Sequence, residues 1–106
     1  MSSAEIIREK HSEFFKSAHT EGVLDLKTKQ LIHIAAVLAL RCEPWVESNL
    51  AVARKMGITE EELAETVQLV ASVGSGTLNA MAYRASEKST PQLEGKTLKD
   101  YLKFSR

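Results

Sequence analysis

The sequence predicts an all-α fold, and three observations predict it. Apolar residues recur at helical spacing through most of the 106-residue chain. Capping residues stand at the head of most apolar runs. No segment shows strand alternation bounded by hairpin turns, and both prolines, Pro44 and Pro91, fall between helical patterns. The expected architecture is a compact bundle of about five to six helices in a single domain, 1–106, whose tail begins at residue 89.

Each element has its own signal. The first helix opens at Ser2, with Glu5 three residues on as a capping box, and Ile6, Ile7, Phe14, Phe15 and Ala18 form one apolar stripe. Gly22 lies in the connection that follows. Asp25 caps a second helix running to about Leu40. Its second half, Leu31 to Leu40, is apolar almost all round, which predicts enclosure by neighbours, including another subunit. Pro44 suits the first turn of a third helix, which stops at Gly57.

Thr59 and Glu62 form the clearest capping box of the chain, with Ile58 placed to staple against Leu63. The fourth helix is expected to end at Gly74-Ser75-Gly76. A fifth runs from about Thr77 to Lys88 and is broken by Ser89-Thr90-Pro91. Thr97 to Phe104 is expected to form a short helix docking through Leu98, Tyr101 and Leu102.

Composition bounds the function. Fourteen basic and fourteen acidic residues cancel, so no long-range field favours nucleic acid or an anionic membrane. One cysteine excludes an intrachain disulfide and fits a reducing compartment. The first residues hold no basic segment followed by an apolar one, and the longest apolar run is too short to span a bilayer. A cytoplasmic protein is expected.

The chemistry-bearing stretch is Arg41-Cys42-Glu43-Pro44-Trp45-Val46-Glu47-Ser48-Asn49. It reads as a C-x-x-C-x-x-x-H helix start in which Cys42 holds the first cysteine place, Trp45 the second and Asn49 the histidine place. Two sulfurs are needed to make and break one disulfide, and this chain has one.

Leu24-Asp25-Leu26-Lys27-Thr28-Lys29-Gln30-Leu31-Ile32, Arg41-Cys42-Glu43-Pro44, Lys55-Met56-Gly57-Ile58-Thr59-Glu60-Glu61-Glu62-Leu63 and Val73-Gly74-Ser75-Gly76 with Asn79-Ala80 occur in that order. In order and spacing they resemble the carboxymuconolactone decarboxylase family, near its alkylhydroperoxidase D-like branch, over roughly residues 22–85. The resemblance implies an all-α fold assembling as trimers or hexamers, with antioxidant peroxidase chemistry in that branch. It also implies a glutamate at the place of Gln30, a second cysteine at Trp45 and a histidine at Asn49. The lactone decarboxylase branch does without the cysteine pair and relies on the histidine.

Several readings stay open at each candidate. Cys42 lies just before a helix, where free amides and the dipole favour a thiolate, and an oxidised Cys42 would need an external thiol or disulfide partner. Otherwise it packs as a small apolar group. His33 could serve as a base for Cys42, but nine residues of helix span about 13 Å, so the chain must fold back or a neighbouring subunit must bring them together. Otherwise His33 is a satisfied core histidine, and His11 and His19 read as surface residues.

Gln30 and Asn49 keep hydrogen bonding where titrating groups are expected, or are ordinary half-exposed polar residues. Trp45 fills a pocket, walls it, or packs in the core or an interface. The cysteine and histidines do not fall at metal-ligand spacing, and no cofactor is expected. Three functions compete. They are single-cysteine thiol chemistry on peroxides or disulfides, a non-catalytic oligomeric subunit holding a small apolar molecule, and lactone decarboxylation or isomerisation using His33.

Overall fold

The structure, a computed structural model, describes residues 1–88 and 94–102. Five helices follow one another and no strand occurs among the described residues: α1 (Ser3–Ala18), α2 (Leu26–Ala39), α3 (Glu43–Lys55), α4 (Glu60–Lys88) and α5 (Leu98–Tyr101). The chain forms two compact units, Met1–Thr66 and Val67–Arg106, and the boundary falls within α4.

The first unit starts each helix with the residue the sequence assigns to it. Ser2 Oγ accepts the Glu5 amide at 3.2 Å. Asp25 Oδ1 accepts the Thr28 amide at 2.7 Å, and that bond holds its carboxyl below the usual carboxylate range. Thr59 and Glu62 bond reciprocally, Glu62 N to Thr59 Oγ1 at 3.1 Å and Thr59 N to Glu62 Oε1 at 2.9 Å. The staple forms as well, since Ile58 and Leu63 are both buried in the core with Ile34 and Ala53. Lys27 Nζ sits 2.6 Å from Glu62 Oε2 and ties the head of α2 to the head of α4. That bond and the Thr59 amide hold the Glu62 carboxyl down at about 2.

The same chain reversal closes α2 and α3, with different residues at its hinge. After α3, the Gly57 amide donates to Arg54 O and the Ile58 amide to Ala53 O, each at 3.1 Å, with Gly57 at φ 83°. After α2, the Arg41 amide donates to Leu38 O and the Cys42 amide to Val37 O, each at 3.0 Å, with Arg41 at φ 58°. This is the left-handed helix stop, in which glycine is usual. At Arg41 a side chain occupies it, at a cost of roughly 1–2 kcal/mol. The reversal sets Cys42 at the head of α3 and packs α3 against α2.

The core of this unit is small, and within the single chain two apolar faces stay open. No residue of α1 is buried; its stripe is open, with Ile7 68% and Phe14 72% exposed. The apolar half of α2 is enclosed on one side only. Ile34 is fully buried, while Ile32 is 53% and Leu40 75% exposed.

In the second unit the expected break at Gly74-Ser75-Gly76 does not occur, and α4 runs through it to Lys88. Glycine stops a helix when it takes a left-handed conformation; Gly57 and Gly95 do so, and Gly74 and Gly76 do not. Helical Gly74 and Gly76 each cost about 1 kcal/mol against alanine, too little to end a helix already propagating.

The expected tail helix narrows to Leu98–Tyr101, and the end assigned at Phe104 lies outside the described residues, as does the break at Ser89-Thr90-Pro91. Its attachment also differs. Leu102 is half-buried as expected, but Leu98 and Tyr101 are mostly exposed, and Lys99 adds contacts, 3.8 Å from Glu87 Oε1 and over the Tyr83 ring. No helix among the described residues is long and apolar enough to cross a membrane.

Candidate functional site

The five candidate residues fall into two groups. Gln30 of α2 and Asn49 of α3 form one group, and both are buried, not half-exposed. Gln30 Nε2 donates to the Asn49 backbone oxygen at 3.0 Å and to Asn49 Oδ1 at 3.3 Å. Asn49 Nδ2 donates to Trp45 O at 2.8 Å. Backbone carbonyls only accept, so both amide orientations are fixed. Neither side chain titrates near neutral pH, and they bond to each other across the α2–α3 contact.

Cys42, Trp45 and His33 form the second group, around an open pocket of about 530 Å³. From α1 come Arg8, His11 and Phe15; from α2 come His33 and Val37; Cys42 and Trp45 close it at the head of α3. The reversal at Arg41 sets Cys42 at the head of α3, and His33 and Cys42 line the same pocket. Cys42 is half-buried, and its thiol makes one long contact, 3.8 Å to Leu40 O. Trp45 is 54% exposed, so it walls the pocket rather than filling a core. The size and apolar lining suit a small organic molecule.

One functional candidate lay outside the sequence reading. His19 is not a plain surface residue. It stacks on Phe15 with ring centroids 4.0 Å apart, and its Nε2 lies 2.6 Å from His33 Nδ1. The available signal was the i, i+4 spacing of Phe15 and His19, which puts both on one face of α1. Burial first, and His19 second, push the His33 imidazole below the usual histidine range, so at neutral pH it is an uncharged acceptor. Among the described residues no three His, Cys, Asp or Glu side chains gather as a metal set.

The sequence model of the carboxymuconolactone decarboxylase family matches residues 10–87, most of the chain and all of the elements that build the pocket and the amide pair beyond Arg8. The chain belongs to that family. A relative from Paracoccus denitrificans described as "Uncharacterized protein 4 in cox locus" is 35% identical over 71 residues, 66% of this chain and 63% of that protein. The chain thus spans less than two thirds of the length of that curated relative. No solved structure matches. This family member carries a glutamine–asparagine pair and a one-thiol pocket at the positions where the sequence resemblance implies a dithiol and its proton relay.

Proposed function

We propose that this carboxymuconolactone decarboxylase family protein reduces small organic peroxides through Cys42 alone, in the cytoplasm, with an external thiol completing the cycle. The observation that carries this reading is the half-buried Cys42 thiol on the wall of an apolar pocket that the uncharged His33 imidazole also lines. The Cys42 sulfur attacks the outer peroxide oxygen and the O–O bond breaks. The alcohol leaves and the sulfur becomes a sulfenic acid, oxidised by two electrons. An external thiol then forms a mixed disulfide and releases water. A second thiol breaks that disulfide and restores Cys42.

The test is direct. The folded protein should consume cumene hydroperoxide only when a small monothiol is supplied, and dimedone should trap one adduct on Cys42. A protein whose Cys42 alkylates readily yet gives no adduct with peroxide would sink the proposal. The second reading, a subunit that holds a small apolar molecule, would then stand. It draws support from the exposed Trp45 face beside Phe15 and Val37 and from the untitratable Gln30–Asn49 pair.

We further propose a homo-oligomer, a trimer or hexamer, built on one domain. The open apolar residues of α1 and α2 support it, since Ile7, Phe14, Ile32 and Leu40 are each more than half exposed. Light scattering at micromolar concentration should give a mass three or six times the 11.7 kDa chain. A monomer mass there would rule the assembly out.

A further inference from the structure

The two imidazoles beside the pocket fix each other's hydrogens. His19 Nδ1 lies 2.8 Å from Phe15 O, an acceptor, so His19 Nδ1 carries a hydrogen. In the neutral pair, His19 Nε2 is then a lone pair. The hydrogen in the 2.6 Å contact must belong to His33 Nδ1, and His33 Nε2 is left bare. Ring packing holds this arrangement, because Phe15 stacks on His19 and meets His33 edge-on. Val37, one turn along α2 from His33, lines the same pocket and accepts the Cys42 amide through its backbone oxygen.

We propose that the His19–His33 pair is the proton acceptor of the Cys42 pocket, with His33 Nε2 as the base and His19 as the positioning residue that sets its tautomer. This rests on the reading of Cys42 as the nucleophile. The Cys42 S–H bond breaks, its proton passes to His33 Nε2, and the sulfur keeps the electron pair. When the peroxide O–O bond breaks, the departing alkoxide takes that proton and His33 is neutral again.

The groups facing the pair agree with this role. Arg8 and His11 on α1 and Cys42 at the head of α3 line the pocket with His33. Lys29 on α2 lines the adjoining groove with both rings and donates to Ala18 O and Thr20 O. No carboxylate lines either hollow. No anion therefore stabilises a stored proton from either hollow, and His33, held below the usual histidine range by burial and by His19, meets its substrate unprotonated at neutral pH.

Two measurements test the pair without needing peroxide turnover. Ring nitrogen NMR of the whole protein at pH 7.5 should show hydrogen on Nδ1 of both His19 and His33. Hydrogen on His33 Nε2 in the neutral pair would overturn the proposal.

Iodoacetamide alkylation of Cys42 is the second. In the parent its rate should fall as the pH drops below 6.5 and His33 protonates. His33→Phe should slow the reaction at pH 7.5 by roughly tenfold or more and replace that fall with the steady loss of thiolate that an unassisted thiol shows as the pH drops. His19→Leu should slow it similarly. His19→Gln, whose amide oxygen can accept the His33 Nδ1 hydrogen, should stay within about threefold of the parent. Equal rates in the parent and in every folded variant would overturn the proposal. If alkylation follows this pattern while peroxide is not consumed, the pair stands and the peroxidase reading falls.

Discussion

Cys42→Ser is expected to lower thiol-dependent peroxide turnover by at least about 10³-fold with no loss of stability. A serine hydroxyl stays protonated at neutral pH, even beside a neutral imidazole, and it has no counterpart of the sulfenic acid that the cycle passes through. The fold has little stake in the sulfur. Cys42 is half-buried, its 3.8 Å contact to Leu40 O is weak, and it gives α3 no side-chain cap. Serine is a preferred residue at a helix head, so the exchange should be neutral or stabilising by a few tenths of a kcal/mol. Activity and stability are thereby separated. Turnover with a saturating monothiol, read beside a thermal melt, checks both. Turnover near the parent's in a folded Cys42→Ser protein would remove Cys42 from the mechanism.

The helix starts were legible because each is written within four residues. Ser2, Asp25 and Thr59 each accept the amide three residues on, as their position in the sequence requires. The helix stops were less legible. Gly57 announced one, whereas the same reversal at Arg41 carries no glycine and has to be held by the packing of α3 against α2. Gly74 and Gly76 misled in the other direction, because a glycine signals a stop only through a backbone conformation that the sequence does not display. The tail was legible in part. Of Leu98, Tyr101 and Leu102, Leu102 is half-buried and the other two are mostly exposed, because a four-residue helix presents too little of a face to bury, and Lys99 adds contacts to Glu87 and Tyr83.

The candidate site was half legible. Gln30, Cys42, Trp45 and Asn49 were identifiable as positions because the family resemblance assigns its site places to them. Their division into a buried amide pair and an open thiol pocket was not, since it depends on which faces of α2 and α3 meet. His33 was legible as a candidate base, but its approach to Cys42 depends on the reversal at Arg41. His19 was missed because its partner lies fourteen residues away on another helix, and nothing local announces a contact at that range. In each case a short-range hydrogen bond was readable and a long-range contact was not.

Gln30→Glu is expected to destabilise the protein at neutral pH and to do so less as the pH falls. The Gln30 amide nitrogen faces two acceptors, Asn49 O at 3.0 Å and Asn49 Oδ1 at 3.3 Å, and Asn49 cannot turn its own amide because Nδ2 is held by Trp45 O. A carboxylate would set oxygen against oxygen in a buried site, and no lysine or arginine hydrogen-bonds to either side chain among the described residues. A protonated carboxyl could instead donate to Asn49 O, so the folded state keeps the proton and raises the pKa of the new group. Stability is then full below the unfolded value of about 4.3 and is lost as the pH rises towards the folded value, by up to about 1.4 kcal/mol per pH unit. Between pH 4.3 and 7 the ceiling is roughly 3–4 kcal/mol. Urea unfolding of both proteins at pH 4, 5, 6 and 7, at one protein concentration, reads the difference between them. Loss of the parent's own carboxylate contributions, Glu62 among them, is common to both and cancels. A difference that stays constant across that range would mean the substitution only disturbs packing. A difference that grows with pH would mean that a carboxylate at position 30 is buried without a donor, since the Asn49 amide facing it presents its oxygens and is held that way by Trp45 O.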